Sequence, residues 1–164
     1  MPAYFFDTSA LLKRYYREPG TTWVQGIVAP RARSTIYPSL LAHVETIAAL
    51  RRIGRLNGDH PSYIDSLVNL FKRHLALSAQ TNAPYTLIPI SPSVIEYASG
   101  LCDKYWDISP GPLRSLDAIH ISSAALVSAT LSDKITLVTA DLQMAAIAAI
   151  EGISVINPVY PPRQ

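Results

Sequence analysis

Cysteine is nearly absent: Cys102 is the single one in 164 residues, so no internal disulfide can form and a reducing cytoplasm is the expected setting. A zinc centre built on thiolates is disfavoured with it, and the four histidines (43, 60, 74 and 120) show no paired ligand spacing. No apolar run approaches the ~18 residues of a membrane span. No basic stretch leads into an apolar one near the N-terminus. Neither membrane association nor a signal peptide is therefore expected. Charge is scarce as well. Asp, Glu, Lys and Arg make up 16% of the chain and sum to a formal +2, a mild basicity that permits an anionic partner without implying one. Repeats, low-complexity blocks and interior linkers are missing, which leaves a single domain over residues 1–164.

What the chain does have is apolar residues. They make up 49% of it, and a domain of this length buries about 70% of its unfolded surface. Short apolar runs alternate with longer stretches of helical period. "YFF", "RSTIY", "YTLIPI", "KITLVT" and "ISVI" read as strands. "SALLKRYY" reads as a helix capped by Thr8 or Ser9, and "TTWVQGIVA" as a second. "SLLAHVETIAALRRIG" has a Ser39 cap and Gly54 beyond its last turn, and "SYIDSLVNLFKRHLAL" has Asp59 as its cap. Further helices are expected from Ser91 to Trp106, in "LRSLDAIHISSAALVSA" and in "DLQMAAIAAIEG"; the tail "NPVYPPRQ" is too rich in proline for regular structure. The pattern predicts an α/β fold, a mostly parallel sheet of four or five strands with helices on both faces. Sites in such sheets form at the carboxyl ends of strands, where strand order reverses. Asp7 follows "YFF" and Asp141 follows "ITLVTA".

Each of these two aspartates has a plain alternative as a helix N-cap. Glu45 and Asp117 are different. Glu45 shares a helical face with Leu41, Ala48 and Ala49, and Asp117 shares one with Leu113, Ile121 and Ala124. A carboxylate inside an apolar stripe is costly to bury unpaired. An ion pair with Arg14, Arg51 or Arg52 would explain one such acid. Two on separate helices, together with two at strand ends, favour a shared site. Converging carboxylates repel one another unless a counter-charge is supplied, and hard oxygen donors select Mg²⁺ or Mn²⁺ over zinc. A cation held in this way serves phosphodiester hydrolysis.

The stretches "FFDTSALLKRYYREPG", "HVETIAAL", "SLDAIHISSA" and "LVTADLQMAAIAAIEGISVINP" carry the four acids in order and span almost the whole chain. In that order and spacing the chain resembles the PIN-domain family, in particular the VapC-type ribonuclease toxins of toxin–antitoxin pairs. The resemblance implies a PIN-like parallel sheet flanked by helices. It also implies an acidic pocket that binds Mg²⁺ or Mn²⁺ and hydrolyses RNA, leaving a 5′-phosphate and a 3′-hydroxyl. On this likeness Asp7, Glu45, Asp117 and Asp141 are the catalytic and metal-binding quartet, and Ser9 and Thr139 are the hydroxyl residues that support the pocket. A small VapB-type antitoxin whose tail enters or blocks the groove, and a homodimer, are implied in the same way. The stretch between Asn57 and Pro84 matches least, and nothing is carried over to it.

Among the cations, Lys13, Arg14 and Arg17 follow the first acid, and Arg14 is the candidate for gripping an RNA phosphate. Arg51, Arg52 and Arg55 close their helix, where they complement its dipole. His120, one turn beyond Asp117, reads as a hydrogen-bonded structural histidine. Trp23, Trp106 and most tyrosines read as core, and Cys102 as a small buried residue. Two other functions stay open: a degenerate module that binds RNA or a protein without cutting, and an RNA-maturation nuclease with no toxin role. A phosphotransferase using Asp7 as nucleophile is set aside, because Ser9 stands where such enzymes carry a second aspartate.

Overall fold

A computed structural model describes residues 1–29, 32–77, 84–131 and 134–162. Its sheet has four strands in the order β2-β1-β3-β4: β1 is Ala3–Phe6, β2 Thr35–Pro38, β3 Ile135–Val138 and β4 Ser154–Ile156. Every neighbouring pair is parallel. The two central strands are covered on both sides, which is why they read as unbroken apolar runs: Phe5, Phe6, Leu137 and Val138 are all fully buried.

Successive side chains of a strand point to opposite faces, so each central strand feeds two cores. Phe6, Ile36 and Val138 pack under α1 (Thr8–Tyr15), α2 (Thr21–Val28), α3 (Leu41–Asn57) and α4 (Pro61–Ala76). Ala3, Phe5, Ile135 and Leu137 pack under α5 (Pro92–Lys104), α6 (Ser115–Thr130) and α7 (Leu142–Ile150). Among the described residues no helix is long and apolar enough to cross a membrane.

The sheet stops at four strands because of a proline. The "YTLIPI" segment does run beside β2: Thr86 N–H donates to Ile36 O and Ile88 N–H to Pro38 O, both at 2.9 Å. However, the return bond to Thr86 needs an N–H at position 38, and Pro38 has none. Only the Ser39–Ile88 bridge completes, so this fifth segment is a bridge and not a strand.

Several helix ends also differ from expectation. The Ser39 hydroxyl faces His120 Nδ1 at 3.3 Å, and α3 starts at Leu41 with no side-chain cap. The helix runs through Gly54 and ends at Gly58, whose φ of 70° is left-handed. Gly54 serves packing instead: a Cβ there would lie 2.4 Å from Ile64 Cδ1 of α4. α4 is capped by His60, while the Asp59 carboxylate accepts from the Tyr16 hydroxyl at 2.6 Å. α1 is capped by Asp7 and not by Thr8 or Ser9. Trp106 is 68% exposed, and Cys102 is only partly buried.

Candidate active site

From β1 the sheet extends to β2 on one side and to β3 and β4 on the other. Strand order therefore reverses between β1 and β3, and a crevice opens at their carboxyl ends. Asp7 leaves β1 at this point and caps α1, its Oδ1 accepting from Ala10 N–H at 2.8 Å. Asp141 follows β3 and caps α7, its Oδ1 accepting from Met144 N–H at 2.8 Å. Asp117 lies in the first turn of α6. Three helices thus begin at the crevice, and their N-terminal partial charges favour anions there. Glu45 reaches the same place from α3. A cavity of about 470 Å³ is lined by all four acids with Ser9, Arg52, Arg114 and His120.

The two strand ends are tied together by two hydroxyls. Ser9 Oγ donates to the Asp7 carboxylate at 2.8 Å and accepts from Ala140 N–H at 2.8 Å. Thr139 Oγ1 donates to Asp7 Oδ2 at 2.7 Å and accepts from Asp141 N–H at 3.0 Å. Burial pushes the Asp7 carboxyl above its ordinary pKa; the charge of His120 and the bonds from Ala10, Thr139 and Ser9 oppose that rise. Removing the buried Thr139 hydroxyl in Thr139→Val strands the Asp141 N–H. Urea unfolding is expected to register a loss of about 1–3 kcal/mol.

Glu45 and Asp117 are held by residues that the sequence pattern did not single out as their partners. Glu45 Oε2 accepts from Thr8 Oγ1 and from His120 Nε2, each at 2.7 Å. Burial raises the Glu45 pKa, but His120, Thr8 and the charge of Arg114 outweigh it and leave the group below its ordinary value. Asp117 is shifted upward, by burial first, with Arg114 opposing. Arg114 itself spans two acids. Its Nε donates to Asp117 Oδ2 at 2.6 Å and its Nη2 to Asp141 Oδ2 at 2.5 Å. An arginine three residues before Asp117, at the start of a helix, was the available signal for this pair.

Arg14 is not brought to the cavity: its guanidinium lies 5.0 Å from the centre of the Tyr85 ring. Lys13 turns inward to Glu18 at 2.7 Å. Arg52, one of the helix-closing arginines, is the cation of α3 that lines the cavity. Four carboxylates are the hard oxygen donors that Mg²⁺ or Mn²⁺ takes, so the residues fit a divalent cation in kind. As the side chains stand, no three of the described His, Cys, Asp and Glu form a ready cage. Two of the acids face Arg114 instead.

The family model described as "PIN domain" matches residues 4–150. The chain belongs to the PIN-domain family. PIN domains are generally nucleases that use divalent metals. In this PIN domain the acid cavity lies inside the matched region, at the reversal of the sheet. Two solved structures share the fold. One is a toxin–antitoxin complex from Klebsiella pneumoniae, at 20% identity and a TM-score of 0.58 over 96% of this chain and 98% of that one. The other is VapBC2 from Rickettsia felis bound to a DNA fragment from its promoter, at 16% identity and a TM-score of 0.60 over 94% and 98%. No curated protein matches the chain at a significant level.

Proposed function

We propose that this PIN domain is a Mg²⁺- or Mn²⁺-dependent endoribonuclease and the toxin of a VapBC-type pair. The observation that carries this reading is the meeting of Asp7, Glu45, Asp117 and Asp141, from four separate elements, on one cavity at the switch point of the sheet. These four residues would hold the cation. When bound, it would supply Lewis acidity toward a phosphodiester and lower the pKa of water. The protein's own part is positional. Ser9 and Thr139 fix Asp7, His120 and Thr8 aim Glu45, and Arg52 at the cavity edge offers a positive charge to a neighbouring phosphate. The likeness to the two complexes supports a small VapB-type antitoxin as partner. A tail that covers the acidic groove and a toxin homodimer are what the resemblance to VapC-type toxins implies, and the lone cysteine suits the cytoplasm.

One observation favours a second reading, a module that binds without cutting: Arg114 already neutralises two of the four acids. Purified chain incubated with labelled structured RNAs in Mg²⁺, Mn²⁺ or EDTA separates the two. Cleavage that requires the metal and stops in EDTA is the expected result. Intact RNA in every condition, with no Mn²⁺ retained by the protein, would leave the binding module as the function.

A further inference from the structure

Arg114 occupies the part of the cavity where a counter-charge is needed. Its planar fork meets one oxygen of Asp117 and one of Asp141, at 2.6 and 2.5 Å, and its charge is also felt by Glu45. The two carboxylates are 11% and 27% exposed, so they sit within the wall of the cavity. The arginine does not. Its side chain is 64% exposed, and its backbone is anchored as the N-cap of α6, with Ala118 N–H donating to Arg114 O at 3.0 Å. The side chain can therefore leave the acids without unfolding anything. For the exposed arginine itself departure costs little, whereas the largely buried acids it leaves need the incoming ion as their counter-charge. While the fork is in place, Oδ2 of Asp117 and Oδ2 of Asp141 are both taken by the guanidinium.

We infer that Arg114 is the resident counter-ion of the site. It holds Asp117 and Asp141 in position while no cation is bound, and it has to swing outward before a divalent ion can take all four acids. The inference rests on the metal-dependent reading above and adds to it a competition between a side chain and the ion. Binding of the ion breaks the Arg114 hydrogen bonds to Asp117 and Asp141, and no covalent bond changes. A charge merely near the cavity would weaken cation binding through its field alone. A charge bonded to the ligands must also be displaced, and that difference is measurable because Arg52 lines the same cavity without a bond to any of the four acids among the described residues.

The test is Mn²⁺ binding by calorimetry, at fixed ionic strength and without RNA, on wild-type chain, Arg114→Gln, Arg114→Lys and Arg52→Gln. Circular dichroism establishes that each variant is folded. Arg114→Gln is expected to bind Mn²⁺ on the order of tenfold more tightly, the scale of two exposed charged hydrogen bonds. Arg114→Lys, which keeps the charge and loses the fork, falls between it and wild type. Arg52→Gln shifts affinity by less than about threefold, as a screened charge does. In a second readout, the Arg114 Nε–H resonance, assigned by its loss in Arg114→Gln, moves as Mg²⁺ is titrated into wild type. Equal Mn²⁺ affinity in wild type and Arg114→Gln, or equal tightening in Arg52→Gln, overturns the resident counter-ion while leaving the metal site standing. Absence of Mn²⁺ binding in every protein removes the metal reading and the counter-ion with it.

Discussion

Asp7→Asn is expected to resist urea better than the wild-type chain at neutral pH, by about 1 kcal/mol, while cutting RNA at least ~10³-fold more slowly. The loss of activity follows from removing one anionic oxygen donor of the proposed cation site. The gain in stability follows from the place of Asp7, which is buried at 3% exposure beside the end of β1. Burial holds its folded pKa above the ordinary 3.8, so the folded state keeps the proton more readily than the unfolded chain does. Ionisation at neutral pH therefore works against folding. Asparagine caps a helix as well as aspartate does, so the Ala10 N–H keeps its acceptor. The cost is a re-aimed Thr139 hydroxyl, which must accept where it had donated. The sign with pH is fixed. The advantage of Asp7→Asn is full above the folded pKa of Asp7, shrinks as the pH falls through it, and is gone below the unfolded value. Unfolding curves in EDTA from pH 7.5 downward measure this. A variant less stable than wild type at pH 7.5 would show that Asp7 is held by its bonds from Ser9, Ala10 and Thr139 more strongly than it is opposed by burial.

The central strands and the four acids were legible in the sequence because both are governed by local rules. "YFF" and "ITLV" are apolar without alternation, as strands covered on two faces must be. An acid directly after such a run, or inside an apolar helical stripe, has few places to go. Less legible were choices decided by a partner far along the chain. Thr8 reaches Glu45 across 37 positions and Ser39 reaches His120 across 81, and no period or cap rule encodes either. Ser39 looked like a cap for α3, but its hydroxyl faces His120, and the backbone bridge to Ile88 beside it is all that Pro38 allows. Gly54 looked like a helix end because glycine often is one, yet its use is the close approach of Ile64. Arg114 stands three residues before Asp117, but its second bond, to Asp141, spans 27 positions, which no local rule encodes.

His120→Ala is expected to destabilise the chain by about 3 kcal/mol and to slow cleavage about 10- to 100-fold through Glu45. His120 is 1% exposed and packs edge-on against Phe5 at 6.3 Å. Its Nε2 donates to Glu45 Oε2 at 2.7 Å, and its Nδ1 faces Ser39 Oγ at 3.3 Å. Truncation leaves a void against Phe5, a buried serine hydroxyl without its partner and a carboxylate held by Thr8 alone. The pH dependence runs opposite to that of Asp7. Glu45 has a folded pKa below 4.5 because His120 and Thr8 outweigh its burial. Its contribution to stability is therefore present above the unfolded value and fades as the pH falls through the folded one. The penalty of His120→Ala is accordingly largest at neutral pH and smaller in acid. In cleavage assays the acid limb of the pH–rate profile moves to higher pH in His120→Ala. His120→Gln, which keeps a donor toward Glu45, returns it toward wild type. A profile unmoved in His120→Ala, with only the rate reduced, would confine the histidine to packing against Phe5 and remove it from the control of Glu45.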